Sequence, residues 1–301
     1  MTILIEDEFS TLRRVIIGLG LPYQTDQEQI ASEMSEFPFV PNTDRKPEVL
    51  ALTYPTEEIL LPEYAGYVDV LESYGVEVLR ADPAAAYSFD YTCPRDIGFV
   101  IGDIFFVANM AVASRADEIR TVQHLLAEVD THNIVQPPAS ALLEGGDVIL
   151  FDAKTILVGI NQRSNHEGFT FLSDYLTPLG YQVLPVKHNQ LHLDCCLNPL
   201  GRGHLLIHPE SLQGNDNAIW RRLGELSWIR LDAVEREYLA TNVLSINPDT
   251  IIARNHVACT RVNQAIRDLG YRVEEIGFDG VPATGGSFRC ASLVLGRTAE
   301  A

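Results

Sequence analysis

Short apolar, β-like runs come in four pairs along the chain. They are IGFVIGDIFFVA (97–108), DVILFDAKTILVGI (147–160), CCLNPLGRGHLLIH (195–208) and NVLSINPDTIIA (242–253). Each pair is divided by turn-forming residues: Gly102-Asp103, Asp152-Ala153-Lys154, Pro199 to Gly203, and Asn247-Pro248-Asp249. Two short β-like runs around a polar turn predict a hairpin. Helical spacing follows three of the hairpins, at 115–129, 167–177 and 258–269, and is weaker at 218–226. A third pattern appears in LESYGVEVL (71–79), LTPLGYQVLPV (176–186) and IRDLGYRVEEI (266–276). Each is a helix end, a glycine (Gly75, Gly180, Gly270) and a short alternating strand. Glycine suits the left-handed position that closes a helix.

The chain therefore reads as about five hairpin–helix–strand units within its 301 residues. No unit of that size covers its own apolar face, so the units must pack on one another. We expect one α/β domain over residues 1–301, built as a ring with helices outside. An irregular α/β sandwich is the other arrangement these patterns allow. The most irregular stretch, 21–62, carries Pro22, Pro38, Pro41, Pro47, Pro55 and Pro62. It is expected to be a long loop or lid with short helical pieces.

Composition narrows the function classes. With 22 Lys and Arg against 41 Asp and Glu, the formal charge is −19. That argues against nucleic-acid or anionic-membrane binding, each of which needs a basic face. It suits a small cationic substrate, and it is also what solubility alone would select. No apolar run approaches the ~20 residues of a membrane span; the richest, Phe99 to Ala113, is broken by Asp103 and Asn109. The acidic start MTILIEDEFS is unlike a signal peptide, and a cytoplasmic setting is expected. The five cysteines (Cys93, Cys195, Cys196, Cys259, Cys290) form no CxxC pair, so neither a disulfide framework nor a structural zinc site is indicated.

The repeat also aligns chemistry. Asp96, Glu144, His192, Asn242 and Cys290 stand 48, 48, 50 and 48 residues apart, each just ahead of a hairpin or of the closing strand. Equivalent positions in a ring meet near its axis. That would gather two carboxylates, an imidazole, an amide and a thiol. An imidazole or a bound cation promotes the reactive thiolate, and the imidazole serves as acid and base. Carboxylates grip a planar guanidinium by paired hydrogen bonds. Asp194 faces the same way as His192 if the segment is extended. Cys290 follows Gly285-Gly286, which lets backbone approach a ligand closely. Cys195, Cys196 and Cys259 read as buried apolar groups, and Glu144 and Asp147 around Gly145-Gly146 also fit a simple turn.

E-G-G-D (144–147), H-L-D (192–194) and G-G-S-F-R-C (285–290), in this order, resemble the guanidine-modifying enzymes of the pentein superfamily. Arginine deiminases, dimethylarginine dimethylaminohydrolases, agmatine deiminases and amidinotransferases belong to it. The resemblance covers essentially the whole chain, and it is more specific for the superfamily than for the reaction. It implies a five-bladed α/β propeller of ββαβ units. It also implies Cys290 as nucleophile, His192 as general acid and base, and Glu144 as the carboxylate that orients His192 and binds guanidinium nitrogen. Asp96, in P-R-D, resembles a guanidinium-binding aspartate, and Asp194 of H-L-D resembles the second. Arg163, in NQRSN, resembles an arginine that binds the substrate carboxylate; Arg115, in SRADE, is a weaker match of that kind. A surface ion pair is the other reading of either arginine.

The chain departs from each subfamily somewhere. It is too short for the helical insertion of arginine deiminases. Many dimethylarginine hydrolases lack its H-L-D. Amidinotransferases are similar around HLDCCLNPLGRG and ATNVL but carry D-A-A-D where this chain has E-G-G-D, and arginine dihydrolases carry Asn at the position of Asp96. The resemblance implies a hydrolase cleaving a C–N bond of arginine or an N-substituted arginine through a covalent S-alkylthiouronium. Transfer of the amidino group to an acceptor amine is the alternative, and a non-catalytic guanidine binder is a third. No metal or organic cofactor is expected, since a thiolate and positioned carboxylates supply the chemistry. Self-association is left open.

Overall fold

The structure is a computed structural model and describes residues 1–21, 55–85 and 91–298. Its fifteen strands form five three-stranded sheets among the described residues. In four of them the chain makes an antiparallel hairpin, crosses over, and returns as a third strand parallel to the second. These are β3–β4–β5 (Gly98–Ile101, Ile104–Val107, Ile134–Val135) and β6–β7–β8 (Val148–Asp152, Thr155–Ile160, Gln182–Lys187). The next two are β9–β10–β11 (Leu197–Gly201, His204–Ile207, Ser227–Arg230) and β12–β13–β14 (Leu244–Asn247, Thr250–Arg254, Arg272–Ile276).

The fifth sheet uses both ends of the chain. β1 (Thr11–Ile17) lies between β15 (Ser292–Thr298), antiparallel to it, and β2 (Glu77–Arg80), parallel to it. The same ββαβ unit is thus completed by pairing the last strand with the first, which closes the ring and removes a free seam. The observed architecture is the five-bladed α/β propeller.

The crossovers carry the helices: α1 (Glu57–Ser73), α2 (Gln123–Leu126), α3 (His166–Leu176), α4 (Asn217–Leu223) and α6 (Thr260–Asp268). Two further short helices, α5 (Ala233–Glu237) and α7 (Gly280–Ala283), lead toward β12 and β15. Side-chain caps start several of them. Asn165 accepts from Gly168 N–H, Asp216 from Ala218 and Ile219, and Asp232 forms a capping box with Glu235. Gly75, Gly180 and Gly270 have φ of +73°, +87° and +86°, the left-handed helix exits that their pattern predicts.

Three expectations need correction. The helical pattern at 115–129 is broken into short 3₁₀ turns at Ala113–Arg115 and Glu118–Val122 before α2, because Arg115 and Glu118 turn inward to pair. Pro199 is part of β9, and the turn of that hairpin falls at Arg202-Gly203. The stretch 21–62, expected to be a loop or lid, lies mostly outside the described residues. From Glu57 it is α1, with Pro62 in the second turn, where its missing N–H forfeits one bond to Glu58. Among the described residues no helix is long and apolar enough to cross a membrane.

A buried ion cluster ties the N-terminal segment to the blades. The Glu8 carboxylate accepts from Arg95 (3.3 Å), from both terminal nitrogens of Arg289 (2.8 and 3.0 Å) and from Leu150 N–H (3.2 Å). Burial alone would raise its pKa, but Arg289, Arg95 and Arg297 overcome this and hold it down at about 2. Removing one partner from such a cluster leaves buried charge uncompensated. We expect Glu8→Ala to cost ~3–5 kcal/mol of stability in urea unfolding at pH 7. The Glu8 contribution should be full above its unfolded pKa of about 4.5 and vanish as pH falls through about 2. A loss below ~1 kcal/mol, the range of surface pairs, would mean that the cluster carries no net stability.

Candidate active site

Each blade is preceded by a tight turn on the ring axis, and these turns hold the predicted residues. Asp96 lies in the 3₁₀ turn Pro94–Ile97 before β3, and Glu144 caps the turn Gly145–Asp147 before β6. His192 caps Leu193–Cys195 before β9, with Asp194 inside that turn. Asn242 precedes β12 and Cys290 precedes β15. The turns are hydrogen-bonded into a closed circle. Arg95 Nε donates to Gly145 O (3.1 Å), Leu193 N–H to Asp147 Oδ1 (2.9 Å) and Thr241 Oγ1 to Cys195 O (2.7 Å). Arg289 N–H then donates to Asn242 O (3.3 Å), and Arg95 N–H to Cys290 O (3.2 Å). The spacing of 48 to 50 residues in sequence is therefore a spatial register. It converges Asp96, Glu144, His192, Asp194 and Cys290, none more than 3 % exposed.

Polar atoms of Asp96, Glu144 and His192 lie within 4.8 Å of one another, as do those of Asp194, Cys195 and Cys290. His192 Nε2 is 2.8 Å from Glu144 Oε2, and Nδ1 is 3.5 Å from Asp96 Oδ1. Burial would lower the imidazole pKa. Asp96, the hydrogen bond to Glu144, and Asp147 outweigh that and push it up to about 9. His192 is thus an imidazolium at neutral pH, with both ring nitrogens as donors. Its ring lies against Gly146, where an added Cβ would fall 2.6 Å from Cγ, so only glycine leaves the ring room.

Cys290 Sγ lies 3.7 Å from each carboxylate oxygen of Asp194 and accepts from Asn242 Nδ2 at 3.1 Å. The Cys195 thiol beside it, burial, and the fields of Asp194 and Asp96 push the Cys290 thiol well above the usual range. In the free protein it is a neutral thiol in a negative environment. A bound cation would relieve that field and favour the thiolate. All five cysteines are unbridged and buried.

Both arginines singled out in the sequence face carboxylates of the chain itself. Arg163 forks onto Glu144, with Nε 3.1 and 3.0 Å from its two oxygens. Arg115 donates to Asp96 Oδ2 (2.9 Å) while Glu118 holds its other edge at 2.9–3.1 Å. Asp96 Oδ1 is buried and has no hydrogen-bond partner. A buried acceptor left open in this way is ready for a donor from a ligand.

Sequence reasoning missed the supports of these groups. Ser164 Oγ donates to Asp147 Oδ2 (2.7 Å) and accepts from Glu144 N–H (3.1 Å). His188 Nε2 lies 2.9 Å from Asp147 Oδ1, which also takes Leu193 N–H, so Asp147 links the turns that carry Glu144 and His192. Arg289 Nε lies 3.3 Å from Asp194 Oδ2 and its other end is held by Glu8. Arg289 stood inside G-G-S-F-R-C and Asp147 inside E-G-G-D; Glu8 and His188 had no motif around them.

Residues 52–295 match the family described as N,N dimethylarginine dimethylhydrolase, eukaryotic. The uncharacterized protein YkgA of Bacillus subtilis is 31% identical over 235 residues, 77% of this chain and 79% of that protein. The N(G),N(G)-dimethylarginine dimethylaminohydrolase of Streptomyces coelicolor is 30% identical over 152 residues, 50% of this chain and 57% of that one. Among solved structures, the amidinotransferase SxtG of Microseira wollei, from a saxitoxin pathway, superposes with a TM-score of 0.78 at 19% identity. It spans 99% of this chain and 98% of its own. The dimethylarginine dimethylaminohydrolase of Pseudomonas aeruginosa, complexed with citrulline, gives 0.71 at 17% identity over 95% and 100%. At that identity the two structures speak for the fold alone. The family match and the ring of five ββαβ blades agree, and the chain belongs to the N,N-dimethylarginine dimethylhydrolase family of the guanidine-modifying pentein enzymes.

Proposed function

We propose that this chain is a cysteine-dependent hydrolase of the guanidino group of arginine or an N-substituted arginine, with residues 1–301 acting as one catalytic domain. The observation that carries this reading is Asp96 Oδ1, a buried carboxylate oxygen that accepts no hydrogen bond and is paired only at 3.5 Å with the charged imidazole of His192. Asp194 is the second carboxylate of that site, beside the Cys290 sulfur. A guanidinium held by Asp96 and Asp194 satisfies the open acceptor and offsets the negative field on Cys290. Binding of the cation lets the thiol ionise, and its proton passes to solvent, since His192 already carries its own. The thiolate attacks the guanidinium carbon, and His192 gives its proton to the departing ammonia or amine. The C–N bond breaks and an S-alkylthiouronium remains on Cys290. His192, now neutral, takes a proton from water, whose oxygen attacks the same carbon. The C–S bond breaks and the hydroxyl proton passes to the departing sulfur, releasing a urea-type product such as citrulline and restoring the Cys290 thiol. Glu144, fixed by Arg163, keeps His192 oriented and cationic between turnovers.

We assign Arg115 to holding Asp96 and keep Arg163 as the candidate for the substrate carboxylate. Asp96→Ala and Asp194→Ala should each lower guanidino-substrate turnover by at least ~10-fold, since a charge-assisted bond contributes ~1.5–3 kcal/mol. Unchanged kinetics in both would put the guanidinium elsewhere. Arg163→Ala should hurt arginine more than agmatine, which lacks the carboxylate; equal losses would leave Arg163 only its role on Glu144. The reaction itself is tested by mass spectrometry of products from arginine and N-methylated arginines, with and without glycine. Citrulline with ammonia or an alkylamine supports the proposal. Ornithine with a new guanidino compound would make the chain an amidinotransferase, and binding without turnover would leave a guanidine binder.

A further inference from the structure

Four of the five axial turns carry a group with a part in the proposed chemistry. The fourth turn in chain order carries Asn242, which has been given none. Asn242 is fully buried. Its Oδ1 accepts from Ser287 N–H (3.0 Å) and Cys290 N–H (3.1 Å). Its Nδ2 donates to Cys290 Sγ (3.1 Å) and to Asp194 O (3.4 Å). This set fixes the amide orientation. Reversing it would aim the NH₂ at two backbone donors and the oxygen at a sulfur and a carbonyl. One side chain thus grips the backbone of the nucleophile turn and its sulfur together.

We propose that Asn242 is a positioning residue of the reaction: its Oδ1 fixes the turn at Ser287–Cys290, and its Nδ2–H holds the sulfur in place and stabilises the thiolate. The proposal rests on Cys290 being the nucleophile. The other groups around the sulfur explain why a neutral donor matters. Asp194 faces it with both oxygens, and the Cys195 thiol stands beside it. Asp96 adds negative field from the first turn, while Arg95 and Arg289 supply positive charge. Cys93 Sγ borders Gly286 next to Cys290. Arg289 spends its hydrogen bonds on Glu8 and Val148 O, and Arg95 on Glu8, Gly145 O and Val148 O. The hydrogen bond from Asn242 is a contact that grows stronger when the sulfur becomes an anion.

The test follows iodoacetamide labelling of the full chain against pH, with the labelled cysteine identified by peptide mass spectrometry, alongside kcat and KM. Asn242→Ala removes every contact. Asn242→Asp keeps the acceptor for both backbone N–H groups but puts a carboxylate oxygen where the donor stood. Both should move the midpoint of Cys290 labelling upward by about one pH unit or more, the Asp variant at least as far. kcat should fall by at least ~10-fold with KM changed less. The Asp variant decides the matter if the Ala variant fails to fold. A wild-type midpoint at Cys290 in folded Asn242→Asp would overturn the proposal and leave Asn242 a backbone tie. Labelling that tracks another cysteine in the unmodified protein would overturn the nucleophile reading itself, a different result.

Discussion

Cys290→Ser is expected to reduce turnover of any guanidino substrate by at least ~10³-fold while the protein stays folded and still binds the substrate. A serine hydroxyl is far less acidic than a thiol, and the surroundings of Cys290 offer it no base: Asn242 donates, and Asp194 already holds the thiol pKa up. Serine is slightly smaller and keeps the Cys290 backbone N–H that holds the turn, so the turn has no reason to move. Cys93, Cys195, Cys196 and Cys259, changed singly to Ala, should keep their turnover apart from packing effects. Cys195 is the demanding control, because its thiol lies beside Cys290. Steady-state kinetics with unfolding curves for all five variants checks this. Full activity in Cys290→Ser would remove hydrolase and transferase readings alike.

Glu144 should give the second large effect, because it is the hub between Arg163 and His192. It is completely buried, and burial would raise its pKa; Arg163 and His192 hold it far below the ordinary carboxylate range instead. Glu144→Ala leaves two buried cations facing each other and should cost ~3–5 kcal/mol of stability. Glu144→Gln keeps the shape, so it separates folding from chemistry. There we expect turnover to fall by at least ~100-fold, as His192 loses both its anchor and part of its positive bias. The pH dependence follows from His192, whose folded pKa of about 9 lies above its unfolded 6.5. The stability it contributes is complete below pH 6.5 and is lost as pH rises through about 9. In Glu144→Gln that decline between pH 6.5 and 9 should be shallower, as urea unfolding at both pH values would show. Equal declines in the two proteins would mean that Glu144 does not sustain the charge on His192.

Much of this was legible because the ring turns a sequence interval into a place. Asp96, Glu144, His192, Asn242 and Cys290 were aligned by spacing alone, and the turns that carry them form a hydrogen-bonded circle. The hairpins were legible because paired short apolar runs and turn residues agree, as around Gly102-Asp103, where both strands are buried along nearly their whole length. The crossover at 115–129 was not: its apolar spacing fits a helix, but Asp96 draws Arg115 inward and Glu118 follows to pair with Arg115, a contact that no local pattern encodes. The pairing of β1 with β15 joins residues nearly a whole chain apart, so only the need to close the ring points to it. Glu8 was invisible for the same reason, since its partners Arg95 and Arg289 meet it only after closure. The roles of Arg163 and Arg115 show a further limit. Sequence marks an arginine as a carboxylate binder, yet it does not say whether the carboxylate belongs to the substrate or to the chain.

The central claim is a covalent intermediate on Cys290, and acid-quenched mass spectrometry tests it most directly. The protein would be mixed with arginine and with N-methylated arginines, quenched during turnover and digested, in wild type and in His192→Ala, where breakdown of the adduct should be slowest. The account predicts an amidino adduct on the peptide carrying Cys290, absent in Cys290→Ser and suppressed when a competing guanidino ligand saturates the site. Sustained turnover with Cys290 unmodified at every quench time, or an adduct on Cys93, Cys195, Cys196 or Cys259 instead, would contradict it.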